Sequence, residues 1–466
     1  MTVSEDLLLA FYGDDFTGST DVLESLSLNG VETVLFLDPP SPDDVAGFED
    51  VQAIGVAGQS RTMSPGEMDE HLPSVFETLA EFDLELVQYK VCSTFDSSPD
   101  VGSIGHAIDL AQETFNSPFV PVVVAAPSLQ PRGRYVLFGN VFATVEGKTY
   151  RLDRHPTMSD HPVTPMTEAD LRRHLGEQTD REIGLLDILS IDEKRGQALA
   201  DDLDSVVDSN EIVVVDGLNH EHQRKVGRTI WDRATAVSTP LFSASSSGLN
   251  YALTNHWHDA GIVEDADSTE TAEAVDQIVV VSGSASPVNE AQIEWALEHG
   301  FTGVQLDTER AIDPETAADA RDETIDAALD AIESGNSVIV YSAWGPADPA
   351  IKATRERADD LEIDDTAVNE RLGTEQAKIT RTLLEETDIR RACIAGGDTS
   401  GYVAPHLDIY ALEFLAPVGP GSPLCVARCR GSAFDGLEIA LKGGQVQTTA
   451  AADNFFGIVR DGGTTE

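Results

Sequence analysis

Three short stretches combine residue types that could bind a small polar molecule and activate one of its hydroxyls. The first, 11–21, reads FYGDDFTGSTD. Asp14 and Asp15 are adjacent carboxylates at the expected C-terminal end of a strand, and Thr17, Gly18 and Ser19 then open a helix. Open α/β sheets place ligands at that edge. A helix start adds free N–H groups and the positive end of a dipole. Carboxylates there can accept hydrogen bonds from a polyol, and one can take a proton from a hydroxyl. N-capping by Asp15 or Thr17 accounts for one acid, but not for two in a row.

The second stretch, 89–100, reads YKVCSTFDSSPD, and the third, 126–135, reads APSLQPRGRY. Lys90 lies inside an apolar strand, with Ser93 and Thr94 at its end. A lysine there can hold a carboxylate or a phosphate; snorkelling is the plainer alternative. Strand alternation would put Lys90, Cys92 and Thr94 on one face. Arg132 and Arg134 flank Gly133, and an arginine at a strand end suits bidentate capture of a carboxylate. The plainer alternative is a surface arginine paired with one of many acids.

Further on, VVVSGSAS and CIAGGDTSGYV each run from a strand into a helix. Gly283, Ser284 and Ser286 make the first turn. Gly396, Gly397, Asp398, Thr399, Ser400 and Gly401 make the second. Glycines let the backbone approach phosphate oxygens, and hydroxyls add donors. Neither stretch is a P-loop or a GxGxxG fingerprint. One such turn reads as a tight turn; two in one domain favour a nucleotide phosphate site. Lys442, Gly443 and Gly444 offer a third element. In HPVTPMTEADLRRHL, Pro162 and Pro165 stiffen a loop, Thr167 is expected to cap a helix with Asp170 at the box position, and His161 reads as structural.

These residues need strands to position them. Apolar runs at 7–12, 32–37, 51–56, 84–91, 121–126 and 211–215 alternate with helical periodicity at 64–80 and 102–115. A hairpin is expected over 136–142 and 148–152. After an Asp-, Glu-, Ala- and Thr-rich stretch, strands are expected at 277–281, 337–341, 392–395, 410–414 and 424–427. Helices are expected at 287–299, 314–333 and 365–386. The pattern predicts two α/β domains with largely parallel sheets facing across a cleft: 1–258, a linker at 259–276, and 277–466.

Composition narrows the classes. The 466 residues carry 82 Asp+Glu against 30 Lys+Arg, a formal charge of −52, with 41% hydrophobic residues. A pI near 4.2 argues against gripping nucleic acid or an anionic membrane through a basic face. No apolar run is long enough for a membrane span, and no basic, cleavable leader is evident. Four cysteines make no disulfide framework, Cys425 and Cys429 read as small buried residues, and a reducing cytoplasm fits. Seven of the basic residues are lysines, at 90, 148, 194, 225, 352, 378 and 442. Dispersed acid with scarce lysine suggests a halophilic protein adapted to high intracellular salt.

The ordered motifs resemble the four-carbon acid sugar kinase family. That family carries a DDxTG element with a following Asp, a KVxST strand end, an HPxTPMxxxDL segment, a GSxS turn and a GGETSG turn. Here these stand as Asp14-Asp15-Phe16-Thr17-Gly18 with Asp21, Lys90 to Thr94, His161 to Leu171, Gly283 to Ser286, and Gly396 to Gly401. The resemblance spans residues 13 to 444. It implies a two-domain kinase whose N-terminal domain binds a sugar acid and whose C-terminal domain binds ATP, with Mg²⁺ accompanying the nucleotide. The implied reaction phosphorylates a hydroxyl of threonate, erythronate or an oxo-tetronate.

Carried over by motif, Asp14, Asp15, Thr17, Lys90, Ser93 and Thr94 line the sugar-acid site, and Ser284, Gly396, Gly397, Asp398, Thr399 and Gly444 contact ATP. Gly18 and Arg134 join the substrate set from the residue reading above. Asp15 is expected to orient the hydroxyl and take its proton, with Asp14 as the other candidate. Asp398 stands where the family has Glu, and Asp96 where its STLRGN strand end has Arg, which leaves the identity of the acid open. The KSGNFG ending is replaced by residues 442–447. The competing reading is a non-catalytic sensor of a sugar acid or nucleotide. A hydrolase using Ser284 lacks the GxSxG elbow. Homo-oligomerisation stays open.

Overall fold

The computed structural model describes residues 7–129, 133–145, 147–160, 163–264, 271–431, 433–444, 446 and 454–464. Arg132, His161 and Pro162 lie outside them. The chain divides into two compact units, 1–267 and 268–466.

The first unit contains β1 (Leu9–Gly13), β2 (Thr33–Phe36), β3 (Ala53–Ala57), β4 (Leu86–Lys90), β5 (Val120–Val123), β6 (Arg134–Leu137), β7 (Asn140–Val145), β8 (Lys148–Arg151), β9 (Ile183–Leu186), β10 (Ile212–Val215) and β11 (Leu241–Ser245). Strands β11-β4-β1-β3-β2 form a parallel sheet in that order. Strands buried on both faces read as continuous apolar runs, and β1, LAFYG, is buried at every position.

A second parallel sheet runs β5-β10-β9. Serine hydroxyls join β11 to it. The Val123 amide donates to Ser245 Oγ at 2.8 Å, and Ser243 Oγ donates to the Pro121 carbonyl at 2.9 Å. Pro121 has no N–H to offer a ladder. The Ser246 amide adds one backbone bond to the Val123 carbonyl.

The segment expected as a hairpin is instead a three-stranded antiparallel meander, β6-β7-β8. The chain reverses at Phe138 and Gly139, with φ of 52° and 80°. A two-residue hairpin turn of this kind needs positive φ at both positions. The buried Asp216 carboxylate holds the turn by accepting the amides of Phe138, Gly139 and Ile188. The helix expected to start after Thr167 begins at Leu171, and Asp170 is its cap, accepting from the Arg172 amide at 3.1 Å.

The second unit contains β12 (Val279–Ser282), β13 (Phe301–Gln305), β14 (Ser337–Tyr341), β15 (Arg391–Ala395), β16 (Ile409–Gly419), β17 (Ser422–Cys429) and β18 (Glu438–Lys442). Its sheet runs β16-β17-β18-β15-β12-β14-β13. The last five are parallel, and β16 and β17 form an antiparallel pair beside them. One face packs Val280, Ile293, Ile339, Cys393, Phe455 and Phe456 into a core. The helix expected over 314–333 starts at Ala317. All four cysteines are free thiols. Among the described residues, no helix is long and apolar enough to cross a membrane.

Candidate functional site

In the first unit, the ends of β1, β3 and β4 converge. The Asp14 amide donates to the Lys90 carbonyl at 2.9 Å, and the Arg61 amide donates to the Asp14 carbonyl at 2.9 Å. Gly13 is needed where β1 meets the helix Phe16–Ser27, because a Cβ there would sit 2.0 Å from Ser19 Oγ. Asp15 caps that helix, its Oδ1 accepting the Gly18 amide at 2.8 Å.

The side chains form one charged cluster. Arg61 holds Asp14 with Nε on Oδ2 at 3.2 Å and Nη2 on Oδ1 at 2.7 Å. The same Nη2 lies 2.8 Å from Asp15 Oδ1. Lys90, buried apart from a trace of its side chain, places Nζ 3.3 Å from Asp21 Oδ2. A Cβ on Gly18 would lie 2.5 Å from Asp15 Oδ1 and 3.2 Å from Lys90 Nζ, so this helix turn must be glycine to let the cluster close. Burial pushes the Asp14 carboxyl up to about 6, against the pull of Arg61. Burial also works against the Arg61 charge, yet Asp14 beside it holds the guanidinium well above its usual value.

Residue reading of the sequence missed Arg61. It sits in the short turn Ser60–Thr62 that follows β3, and that turn is anchored by Ser60 Oγ against Tyr89 Oη at 2.7 Å. Tyr89 in turn stacks on Tyr12. The available signal was topological: β3 neighbours β1, so its C-terminal turn had to face Asp14.

The remaining expected residues fall as follows. Thr17 is half-buried in the first turn of the helix. Strand β4 ends at Lys90, so the alternation expected through Thr94 does not extend that far. Cys92 Sγ and Thr94 Oγ1 instead meet at 2.8 Å in the following loop, and Ser93 is half-buried beside them. Arg134 begins β6, where Nη1 donates to the Gly133 carbonyl at 3.4 Å and its charge lowers the pKa of His155, which burial already depresses.

The second unit gathers a different set. Gly396 precedes the helix Gly397–His406 with φ at 137°, and no side chain among the described residues caps that helix. Its first amides are therefore open to an anion, with Gly397 and Asp398 exposed in the first turn. A Cβ on Gly283 would lie 2.0 Å from Thr399 Oγ1, and one on Gly444 would lie 2.2 Å from Ser284 Oγ. Ser284, Gly396, Thr399 and Gly444 thus meet at the ends of β12, β15 and β18.

Gln376 and Asn289 brace this cradle. Gln376 Nε2 donates to the Ser282 carbonyl at 3.1 Å, and its Oε1 accepts from Thr399 Oγ1 at 3.4 Å. Asn289 Nδ2 donates to Ser282 Oγ at 2.7 Å and to the Ser284 carbonyl at 2.9 Å. Ser286 Oγ donates to the Gly444 carbonyl. No group of three or more His, Cys, Asp or Glu among the described residues could form a metal cage. Mg²⁺ usually takes one or two carboxylates plus substrate phosphates, and Asp398 is the carboxylate this turn offers.

Known proteins match both units. A family model described as a sugar-binding N-terminal domain matches residues 9–253, and one described as a nucleotide-binding C-terminal domain matches residues 279–451. A Paraburkholderia graminis protein named 3-oxo-isoapionate kinase is 46% identical over 457 residues, covering 98% of this chain and 94% of its own length. A Pseudomonas fluorescens protein named 3-oxo-tetronate kinase is 31% identical over 457 residues, covering 95% of each chain. The crystal structure of a Haemophilus influenzae DUF1537 protein shares the fold, with a TM-score of 0.72 over 97% of this chain and 99% of that one, at 22% identity. With matching models on both units and relatives similar along nearly its whole length, the chain belongs to the four-carbon acid sugar kinase family, DUF1537.

Proposed function

We propose that the protein is an ATP-dependent kinase that phosphorylates a hydroxyl of a small sugar acid, of the 3-oxo-tetronate or 3-oxo-isoapionate kind that names its relatives. The observation that carries this reading is the state of Asp15. Its Oδ1 is committed to Gly18 and Arg61, while Oδ2 meets no donor among the described residues. An acceptor oxygen fixed by its partner oxygen, at a strand end, suits a base that receives the proton of a substrate hydroxyl. Asp14 has both oxygens on Arg61 and orients that arginine instead.

Arg61 and Lys90 supply positive charge for the acid, and Ser93, Thr94, Thr17 and the Gly18 backbone supply neutral polar contacts. In the second unit, the uncapped start at Gly396 to Thr399, with Ser284 and Gly444, holds phosphate oxygens through backbone N–H and hydroxyl donors. Mg²⁺ with Asp398 would offset phosphate charge when bound. Phosphoryl transfer asks the protein mainly for alignment and charge stabilisation, and these residues provide both. The acidic surface adds a salt requirement to the proposal.

The test is ADP release from ATP and Mg²⁺ across a panel of four- and five-carbon sugar acids, run at low and high salt. Turnover with at least one acid, absent without it, supports the reading. Saturable binding of acid and nucleotide with no ADP formed would favour the sensor instead.

A further inference from the structure

Asp96 lies in the loop that leaves β4, beyond Lys90. No hydrogen bond or ion pair engages its carboxylate among the described residues, and Oδ1 is shut off from solvent without a partner. The ionisable neighbours do not answer its charge. His174 is buried, and burial lowers it to about 4 even though Asp96 pulls the other way, so the ring is neutral. Cys92 is held protonated, first by burial and then by Asp96 itself.

The chain on either side of Asp96 is nonetheless held firmly. Phe95, just before it, adopts φ of 58°, a left-handed conformation that is strained for a phenylalanine. Its ring packs edge-on to His174, with centroids 5.9 Å apart. Ser97, just after, donates to the Phe95 carbonyl at 3.0 Å, pairs with His174 Nε2 at 2.8 Å and accepts from Gln178 Nε2 at 3.0 Å. The loop is pinned on both sides of a group that gains nothing from being pinned. A carboxylate with a buried, unsatisfied oxygen costs folding free energy, and such costs concentrate at ligand sites.

Asp96 also lies in a loop that borders the charged cluster at both ends: the loop leaves β4 just after Lys90, and at its far end the Gly102 amide donates to the Met63 carbonyl at 2.8 Å, where a Cβ on Gly102 would sit 2.4 Å from the Arg61 carbonyl. An ionised carboxylate is an acceptor only. It repels the acid group of a sugar acid and accepts from its hydroxyls. We propose that Asp96 is a specificity residue of the sugar-acid site, accepting a hydrogen bond from a substrate hydroxyl remote from the substrate's own carboxylate. This rests on the sugar-acid reading above and adds which end of the molecule the β4 loop selects.

The test is calorimetric binding, without nucleotide, of the accepted acid and its single-deoxy analogues to the full-length protein and to Asp96→Asn and Asp96→Ala. A hydrogen bond to a charged group predicts that both variants bind the parent acid about 10- to 100-fold more weakly. One deoxy analogue should show the same loss on the wild type, and no further loss on Asp96→Ala. Melting temperature should hold or rise in Asp96→Asn, since an unanswered charge is removed. Unchanged affinity in both variants overturns the proposal, as does a melting temperature that falls while affinity stays. Failure of the wild type to bind any acid in the panel overturns this proposal and the sugar-acid reading together; wild-type affinity retained in Asp96→Ala overturns this proposal alone.

Discussion

Arg61 grips Asp14 through two parallel hydrogen bonds, Nε to Oδ2 at 3.2 Å and Nη2 to Oδ1 at 2.7 Å. The fork also reaches Asp15. One guanidinium therefore sets the separation of two carboxylates that would otherwise repel. Lysine, a point charge, cannot hold that geometry. Arg61→Lys is expected to lower kcat/KM by about 10²-fold despite keeping the charge. Steady-state kinetics on a folded variant check it; activity within a few-fold of wild type would reduce Arg61 to a generic cation.

Asp15→Asn keeps the helix cap, since the amide oxygen still accepts from Gly18. It removes the basic oxygen. The expected outcome is a loss of about 10²-fold or more in kcat, with nucleotide affinity retained. Near-normal turnover in this variant would take the proton-accepting role away from Asp15.

Asp14 links activity and stability to pH with opposite signs. Its folded pKa is raised from 3.8 to about 6 by burial. Its contribution to stability is therefore fully present below the unfolded value and is lost as pH rises through about 6. Activity should run the other way, because a protonated Asp14 no longer balances Arg61. We expect kcat/KM to fall as pH drops through about 6. Thermal melts over the same range should show Asp14→Asn losing the pH dependence that wild type has. A flat activity profile down to pH 5 would remove Asp14 from the site's charge balance.

Gly283 leaves no room for a side chain, its Cβ position being 2.0 Å from Thr399 Oγ1. Thr399 is buried and tied to Gln376, so it yields poorly. Gly283→Ala is expected to weaken ATP binding by about 10-fold, the scale of one lost hydrogen bond, with sugar-acid affinity unchanged. Two calorimetric titrations separate these effects, and equal losses for both ligands would contradict a site confined to the second unit.

Lys442 is buried over the rings of Phe455 and Phe456, with one hydrogen bond among the described residues, to the Gly443 carbonyl at 3.3 Å. Burial lowers its pKa from 10.5 to about 8. Below about 8 the folded state carries the full cost of the charge. Between there and 10.5 the folded lysine is neutral while the unfolded one is charged, so stability rises with pH. Lys442→Met should melt above wild type at pH 7, and the gap should close toward pH 10. A gap that stays constant, or a less stable variant, would mean the charge is compensated.

Much of this was legible in the sequence, for physical reasons that differ by residue. Parallel strands such as β1, β10 and β14 are largely apolar on both faces, and their runs stand out. Asp14, Asp15 and Lys90 break those runs at strand ends, where polar residues need a ligand or a cap. Arg61 was not legible because its role depends on strand order, and order is set by long-range packing. Strand β11 was hidden for another reason. Its LFSAS sequence continues into more serines and reads as a loop, yet Ser243 and Ser245 are fully buried and satisfied across the sheet. The turn at Phe138 and Gly139 was hidden because the apolar run continues through it; Asp216, distant in sequence, decides where it bends.

The serine seam between β11 and β5 carries a mechanical consequence. A backbone ladder is all-or-none in register, since a one-residue slip turns every side chain over. Hydroxyls rotate and exchange partners, as the 2.7 Å contact between Ser243 and Ser245 allows. In the first unit, the two sheets therefore meet where Ser243, Ser245 and Ser246 fall along the chain, each hydroxyl satisfying a backbone group of the β5 segment. The registry of one sheet against the other is written in the spacing of three small polar side chains, and not in a continuous ladder.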